Sequence, residues 1–306
     1  WYIVAACLLV GGFNSSFFGY GWTAFVNPIA TTFGWSMTNL SLASSLRSIE
    51  TGVFNPIWGV AVDRWSPKKL MLLGVIFSAL GALFLSQTKN LAMYYGGFLV
   101  LGLGSSLITS ILPQALIARW FRRDVGKASG LYWMGSGIGG VTVPLVVMMV
   151  DKLTWQNTLL YVAIGILVLG ITATLIIRSR PQDYGLLPDG GPASITDTSR
   201  RGRTAISQEF GTSVREALRM RAFWHLIVVQ IFGSMAISTM SFYALPYLTS
   251  MGMDRSRASL VVMLYLLVST FFRIPMGILS DHFRKSYVAA ASVLLQTSGV
   301  AIFWLM

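Results

Sequence analysis

Long apolar runs alternate with short polar breaks along nearly the whole chain, and the runs share one length. Residues 3–26, 39–62, 70–87, 91–117, 127–150, 156–177, 222–249, 258–280 and 287–306 are each predominantly apolar. A helix of about 20 such residues crosses the roughly 30 Å of hydrocarbon in a bilayer. The pattern predicts nine membrane-spanning helices in an all-α polytopic protein. Composition agrees: 54% of residues are hydrophobic and 11% are charged, where a soluble domain carries about a quarter charged residues.

The formal net charge is +12, and its placement decides what it means. Most of the 23 Lys and Arg residues fall in alternate breaks, from Arg64 to Lys69, Arg119 to Lys127, Arg178 to Arg221 and Arg284 to Lys285. This is the positive-inside pattern, which puts these loops and the N-terminus in the cytoplasm. The charge reports topology in a lipid bilayer and leaves no role for nucleic acid. Cys7 is the only cysteine, while His225 and His282 stand alone near run ends. No disulfide framework or metal centre follows from them, and no hydroxyl in a run has a His or Lys base on a nearby run. The expectation is a protein that is not an enzyme and carries no cofactor.

Between residues 178 and 221 the apolar pattern stops, and Arg180-Pro181, Pro188-Asp189-Gly190 and Arg200-Arg201-Gly202-Arg203 dominate. Such a segment cannot build a core and reads as a cytoplasmic linker. Its end, residues 213–221, suits a short basic amphipathic helix on the membrane surface and a solvated loop equally well. Residues 1–177 then form a six-helix bundle, and 222–306 supply the first three helices of a second one. Two equal halves require about three further C-terminal helices, so a twelve-helix protein is expected.

Two stretches repeat each other. Pro56 to Arg64 leads to Lys68 and Lys69, and Pro275 to His282 leads to Arg284 and Lys285. Each ends an apolar run with a glycine, Gly59 or Gly277, and places an aspartate four residues later, Asp63 or Asp281. A repeat set within hydrophobic segments points to a carrier that rocks one half against the other. At the membrane edge the aspartates are expected to cap a neighbouring helix or to pair with basic residues in one access state, forming a gate.

Three ionisable residues lie inside runs: Arg47 and Glu50 in the second and Arg273 in the eighth. Each costs about 2.5–3.5 kcal/mol near the bilayer centre, so each is expected to face a protein partner or a wet pathway. Arg47 and Glu50, three apart, form either a buried ion pair or a coupling site. Arg273 has Ser269 and Gly277 one turn away and no acidic residue. Its planar fork of donors suits a substrate carboxylate, with an inter-helix salt bridge as the alternative. Gln230, Ser234, Ser238 and Ser241 share a helical face that lines a central cavity or bonds another helix. Gly11, Ser15, Gly19 and Thr23 form a small-residue face for close packing, and Gly130 to Gly140 with Pro144 predict packing and a bend.

Taken with these residues, the chain resembles the major facilitator superfamily along essentially its whole length. Gly59, Asp63, Arg64, Lys68 and Lys69 are similar to the family's loop motif between helices two and three, with Ser66-Pro67 in the usual glycine region. Within the family it resembles the oxalate/formate antiporter and monocarboxylate transporter branch, through Phe33-Gly34-Trp35-Ser36, Trp120-Phe121-Arg122-Arg123 and Arg180-Pro181-Gln182-Asp183-Tyr184-Gly185. The resemblance implies two six-helix bundles, alternating access and a substrate of mono- or dicarboxylate type in a bacterial inner membrane. It implies that Arg273 binds the carboxylate, with Tyr20, Gln230 and Ser234 in the cavity wall. The aspartate one turn before that arginine is Ser269 here, and the first-helix lysine falls near Tyr20. Protons coupled through Glu50, and anion exchange without protons, both stay open. A proton-driven drug exporter of the same fold is the competing reading.

Overall fold

The computed structural model describes residues 1–178, 181, 184 and 214–305. The remaining residues of the expected linker lie outside it, as do the side chains of Ser238, Ser241 and Lys285. Every described element is helical. Helix α1 (Tyr2–Asn14) continues through a π turn (Ser15–Gly19) and a 3-10 turn (Tyr20–Trp22) into α2 (Thr23–Phe33). Then come α3 (Met37–Arg64), α4 (Pro67–Ser86) and α5 (Leu91–Ser106), which passes through a second π turn (Leu107–Ile111) into α6 (Leu112–Trp120). They are followed by α7 (Val125–Val141), α8 (Val143–Leu153), α9 (Trp155–Ile176), a single turn at Val214–Ala217, α10 (Arg221–Ser250), α11 (Arg255–His282) and α12 (Lys285–Leu305). Each of the nine predicted runs falls on one helix or on helices joined end to end.

Local chemistry sets the boundaries. Gly34, at φ +67°, ends α2 in the left-handed conformation that glycine adopts without strain. Two residues on, the Ser36 side chain accepts from the Asn39 amide and starts α3. Between them Trp35 stacks on Phe33 with ring centroids 4.4 Å apart. The family-like tetrapeptide is thus a stop signal, an aromatic clasp and a start signal. Asn90 caps α5 by accepting from the Met93 amide at 2.8 Å. Pro144 has no amide to continue the ladder from α7, and α7 meets α8 at 45°.

Among the described residues, four helices are long and apolar enough to cross a membrane, and the bent α7–α8 pair makes a fifth if counted as one span. The polar content of α3, which carries Arg47, Glu50, Asn55 and several hydroxyls, keeps it off that list despite its 28 residues.

The described residues divide into two units, Trp1–Gly190 with Thr270–Asp281, and Gly191–Ser269 with His282–Met306. In the first unit α4 packs most extensively, on α5 and α9. Leu70, Met71, Val75, Leu101 and Ile108 are fully buried there. Glycines let the backbones close up, with Gly81 against the Leu101 backbone and Gly104 against the amide of Ser78. Asn14 donates to Ser105 Oγ at 3.3 Å, tying α1 to α5 inside the core. In the second unit Gln296 Nε2 donates to the Gly233 carbonyl at 3.1 Å.

The small-residue face expected on the first span is not continuous. The π turn begins at Ser15 and the 3-10 turn follows at Tyr20, so a spacing of four no longer keeps residues on one side. Gly11 faces Tyr132 and Ser15 Oγ donates to the Ser136 carbonyl, both on α7, but Gly19 lines a cavity and Thr23 bonds back to the Tyr20 carbonyl.

Candidate functional site

A cavity of about 280 Å³ lies within the first unit, lined by Phe18, Gly19, Trp22, Ser44, Arg47, Ser48, Thr51 and Phe98. The irregular turns of the first span supply its aromatic wall. Phe18, Trp22 and Phe98 form a connected ring group, with Trp22 edge-on to Phe98 at 4.8 Å. Gly21 fixes the turn: a side chain there would overlap the Ser16 carbonyl oxygen. Helix α3 supplies the polar wall. Ser44, Arg47, Ser48 and Thr51 fall at i, i+3, i+4 and i+7, one face of an α-helix.

Arg47 is the cavity's charged group. Its Nη1 donates to the Phe18 carbonyl in the π turn at 2.9 Å, and among the described residues no other hydrogen bond occupies the guanidinium. The rest of its planar fork is left for a guest. The ion pair with Glu50, one of the two alternatives the sequence left open, does not form in this conformation. Glu50 is 7% exposed, and neither carboxylate oxygen has a hydrogen-bond partner. Both side chains press on Gly102 of α5, where a methyl group would overlap Glu50 Oε2 and sit 3.2 Å from Arg47 Cγ.

Arg273 of α11 lies on α7 rather than in this cavity lining. Its Nη1 donates to the Trp133 carbonyl and to Ser136 Oγ, the latter at 2.9 Å. Of the alternative inter-helix salt bridges, one to Glu50 is not made, since the Glu50 oxygens are unbonded. Arg273 therefore resembles Arg47 in design: one nitrogen is anchored on a main-chain carbonyl, and among the described residues no bond holds the other edge. Tyr20 is half-exposed beside Gly140 of α7, 3.6 Å from where a Cβ there would sit, and does not line the cavity. Gln230 and Ser234 belong to the second unit, where Gln230 Nε2 donates to Ser234 Oγ at 3.3 Å on their own helix.

The two copies of the repeat differ. Asp281 accepts from the amides of Gly126 at 2.7 Å and Lys127 at 2.8 Å, two of the unpaired N–H groups that open α7. Asp124, the residue at the head of α7, makes no side-chain cap of its own. Gly277 permits the approach, because a side chain there would strike the Gly126 carbonyl oxygen. In the first copy Asp63 is 85% exposed and stands 3.9 Å from Arg119 Nη2, which donates to the Val62 carbonyl instead. Gly59 faces open space, Arg64 and Lys69 are exposed, and Lys68 is half-buried. Arg284 lies over the Tyr287 ring at 5.5 Å.

The aromatic wall and the α3 hydroxyls are absent from the sequence-predicted site. The hydroxyls carried a legible signal, the i, i+3, i+4, i+7 spacing around Arg47. The aromatics did not, since their convergence depends on a π turn.

Over residues 7–306 the chain matches the model of the Major Facilitator Superfamily. It is 26% identical over 169 residues to "Probable nitrate transporter NarT" of Staphylococcus aureus strain bovine RF122 / ET3-1, and equally so to that of strain Newman. These alignments cover 54% of this chain and 42% of each relative, so the matched part is about two-fifths of the relatives' length. Among solved structures, the proton:xylose symporter XylE bound to 6-bromo-6-deoxy-D-glucose superposes with a TM-score of 0.72 at 14% identity. A double-Trp XylE mutant does so at 0.61 and 13%. Each covers 92% of this chain and 70% of the XylE chain. The backbone likeness shows a shared helical fold, and the match across residues 7–306 shows that this integral membrane protein belongs to the Major Facilitator Superfamily.

Proposed function

We propose that the protein is a secondary carrier of small organic anions, mono- or dicarboxylates, working by alternating access. The observation that carries this reading is the Arg47 cavity. Its guanidinium is anchored by one nitrogen and open at the other edge. At about 280 Å³ the space falls below the range of about 300–1,000 Å³ usual for ligand sites, so it suits a guest of few atoms. Arg273 supplies a second anchored, half-open fork, the group assigned to grip the carboxylate. The nitrate named for the Staphylococcus relatives presents planar oxygens to a fork much as a carboxylate does, which supports an anion of that shape. Tyr20, Gln230 and Ser234 are proposed as further substrate contacts on the strength of the family resemblance, none of them in the lining of the Arg47 cavity.

The gate is assigned to the repeated motif, with the Asp281 cap and the Gly277–Gly126 contact belonging to one access state and breaking in the other. Asp63, Arg64, Lys68 and Lys69 serve the first copy, and Arg284 and Lys285 the second. The basic loops support a cytoplasmic N-terminus in a bacterial inner membrane, and 1–177, 178–221 and 222–306 stand as the domain plan.

Counterflow of labelled formate, oxalate, lactate and nitrate in proteoliposomes tests the reading. Saturable exchange of at least one anion is expected, with loss in Arg47→Gln and in Arg273→Gln. Exchange of cationic solutes alone, unaffected by both substitutions, would instead favour a drug exporter of the same fold.

A further inference from the structure

We propose that the first unit carries a binding site for an anionic phospholipid headgroup, built where the starts of α1 and α7 meet the ends of α6 and α9. It is separate from the transported solute and does not depend on the anion reading.

Two stretches that stand out in the sequence, Trp120 to Arg123 and Arg178 to Tyr184, take no part in the cavity or the repeat. The fold brings them together. The Trp120 indole Nε1 donates to the Arg178 carbonyl at 3.0 Å, across 58 residues of sequence. Pro181 is buried and its carbonyl accepts from the Tyr184 amide at 3.0 Å, a turn that sets the Tyr184 ring centroid 4.3 Å from the Arg178 guanidinium. The opening residues of α1 complete the group. Tyr2 lies 5.7 Å from the same guanidinium and meets Trp120 edge-on at 6.3 Å. Trp1 packs on Phe121 at 5.0 Å and has the Lys127 ammonium 5.2 Å from its centroid.

Three features make this group a site and not only packing. Its two cations are uncommitted: among the described residues, neither the Arg178 guanidinium nor the Lys127 ammonium has a hydrogen bond or an ion pair. The Lys127 amide bonds Asp281 at 2.8 Å, yet the ammonium is turned to Trp1 instead of that carboxylate. A cation over a ring face is held by the ring's negative face and keeps N–H donors for an anion. The second feature is depth. The spans Tyr2–Phe33, Leu91–Trp120 and Trp155–Ile176 and the α7–α8 pair all begin or end here, the level at which headgroup phosphates lie and Trp and Tyr collect.

The third feature is divided exposure. Trp120 and Phe121 are buried and fix the frame, while Trp1, Tyr2 and Tyr184 are 45–49% exposed beside the two cations. A soluble anion would use the cations alone. A phospholipid uses both parts, its phosphate on Lys127 and Arg178 and its glycerol and upper acyl carbons on the exposed rings. Phosphatidylglycerol brings one negative charge and no amine. Phosphatidylcholine brings its own cation, which these two side chains repel, so the site should distinguish them.

Native mass spectrometry of the detergent-purified protein tests this, titrating phosphatidylglycerol against phosphatidylcholine of the same acyl chains. Phosphatidylglycerol should bind more tightly. Lys127→Gln and Arg178→Gln should each lower its affinity by about fivefold, the effect of one Lys or Arg at an anionic surface, and leave phosphatidylcholine unchanged. Lys152→Gln, which removes an exposed cation in the last turn of α8, should change neither. Lys127 is itself exposed, so its variant keeps the fold and decides the matter even if the Arg178 variant does not fold. Equal affinity for the two lipids, or full phosphatidylglycerol affinity in Lys127→Gln, overturns the proposal. An equal loss in Lys152→Gln also overturns it, since net charge would then account for the binding. Inorganic phosphate in excess should fail to displace the lipid; displacement would make this a site for free phosphate and overturn the lipid assignment. No transport is measured, so the result stands whichever solute the carrier moves.

Discussion

Gly277 of α11 meets Gly126 of α7 backbone to backbone, the carbonyl oxygen of Gly126 filling the space that a side chain at 277 would need. The contact gives the repeated glycine a physical purpose: it brings Asp281, one turn on, to the unpaired amides of α7. Gly277→Ala should push the two helices apart and weaken the cap without changing any charge. The expected outcome is faster amide hydrogen exchange at Gly126 and Lys127 in the purified protein. Protection equal to wild type would mean that the contact is easily rearranged.

Asp281→Asn leaves the size of the side chain but removes its charge and one of its two acceptor oxygens. A lost N-terminal cap costs about 0.5–2 kcal/mol, and about 1.4 kcal/mol is a factor of ten in an equilibrium. The populations of the two access states should therefore shift by up to roughly an order of magnitude. Labelling rates of single cysteines placed on either side of the membrane would report the shift. The equivalent change at Asp63, exposed and only 3.9 Å from Arg119, should move this conformation's stability far less, since exposed pairs contribute little.

Arg47→Lys separates charge from geometry. Lysine keeps the positive charge but has a single ammonium, which cannot both bond the Phe18 carbonyl and offer a planar fork. Counterflow should retain its maximal rate more than its affinity, with the half-saturating anion concentration rising. Loss confined to the rate would place Arg47 in the conformational step instead.

Gly102→Ala tests the space beside Glu50. The added methyl would overlap Glu50 Oε2, so the carboxyl must move or α5 must shift. Overpacking of a tight interior costs about 1–3 kcal/mol, and the melting temperature in detergent should fall. The double variant Gly102→Ala with Glu50→Ala should recover the stability, because the truncated side chain vacates the site.

Much of the architecture was readable from hydropathy, because lipid demands helices of one length with their backbone bonds satisfied internally. That rule located α3 even though Arg47, Glu50 and its hydroxyls dilute its apolar content. The site was less legible, for specific reasons. Arg47 and Glu50 at i, i+3 looked like a pair, yet the π turn offered Arg47 the Phe18 carbonyl and the pair did not form. The partner of Asp281 lies 155 residues away in sequence, and no local spacing announces a cap supplied by another helix. Arg273 was singled out as a lone charge in a membrane run, but its anchorage on Trp133 and Ser136 depends on the close approach that the α7 glycines permit.

The π turn at Ser15–Gly19 holds one residue more than a regular ladder requires. Deleting any one residue from it would give the first span a more orderly helix. It would also remove the turn that presents the Phe18 carbonyl to Arg47 and sets Gly19 at the cavity wall. The smoother helix would be the one without this cavity. At this position the length of the chain, and not the identity of any side chain, fixes the shape of the cavity.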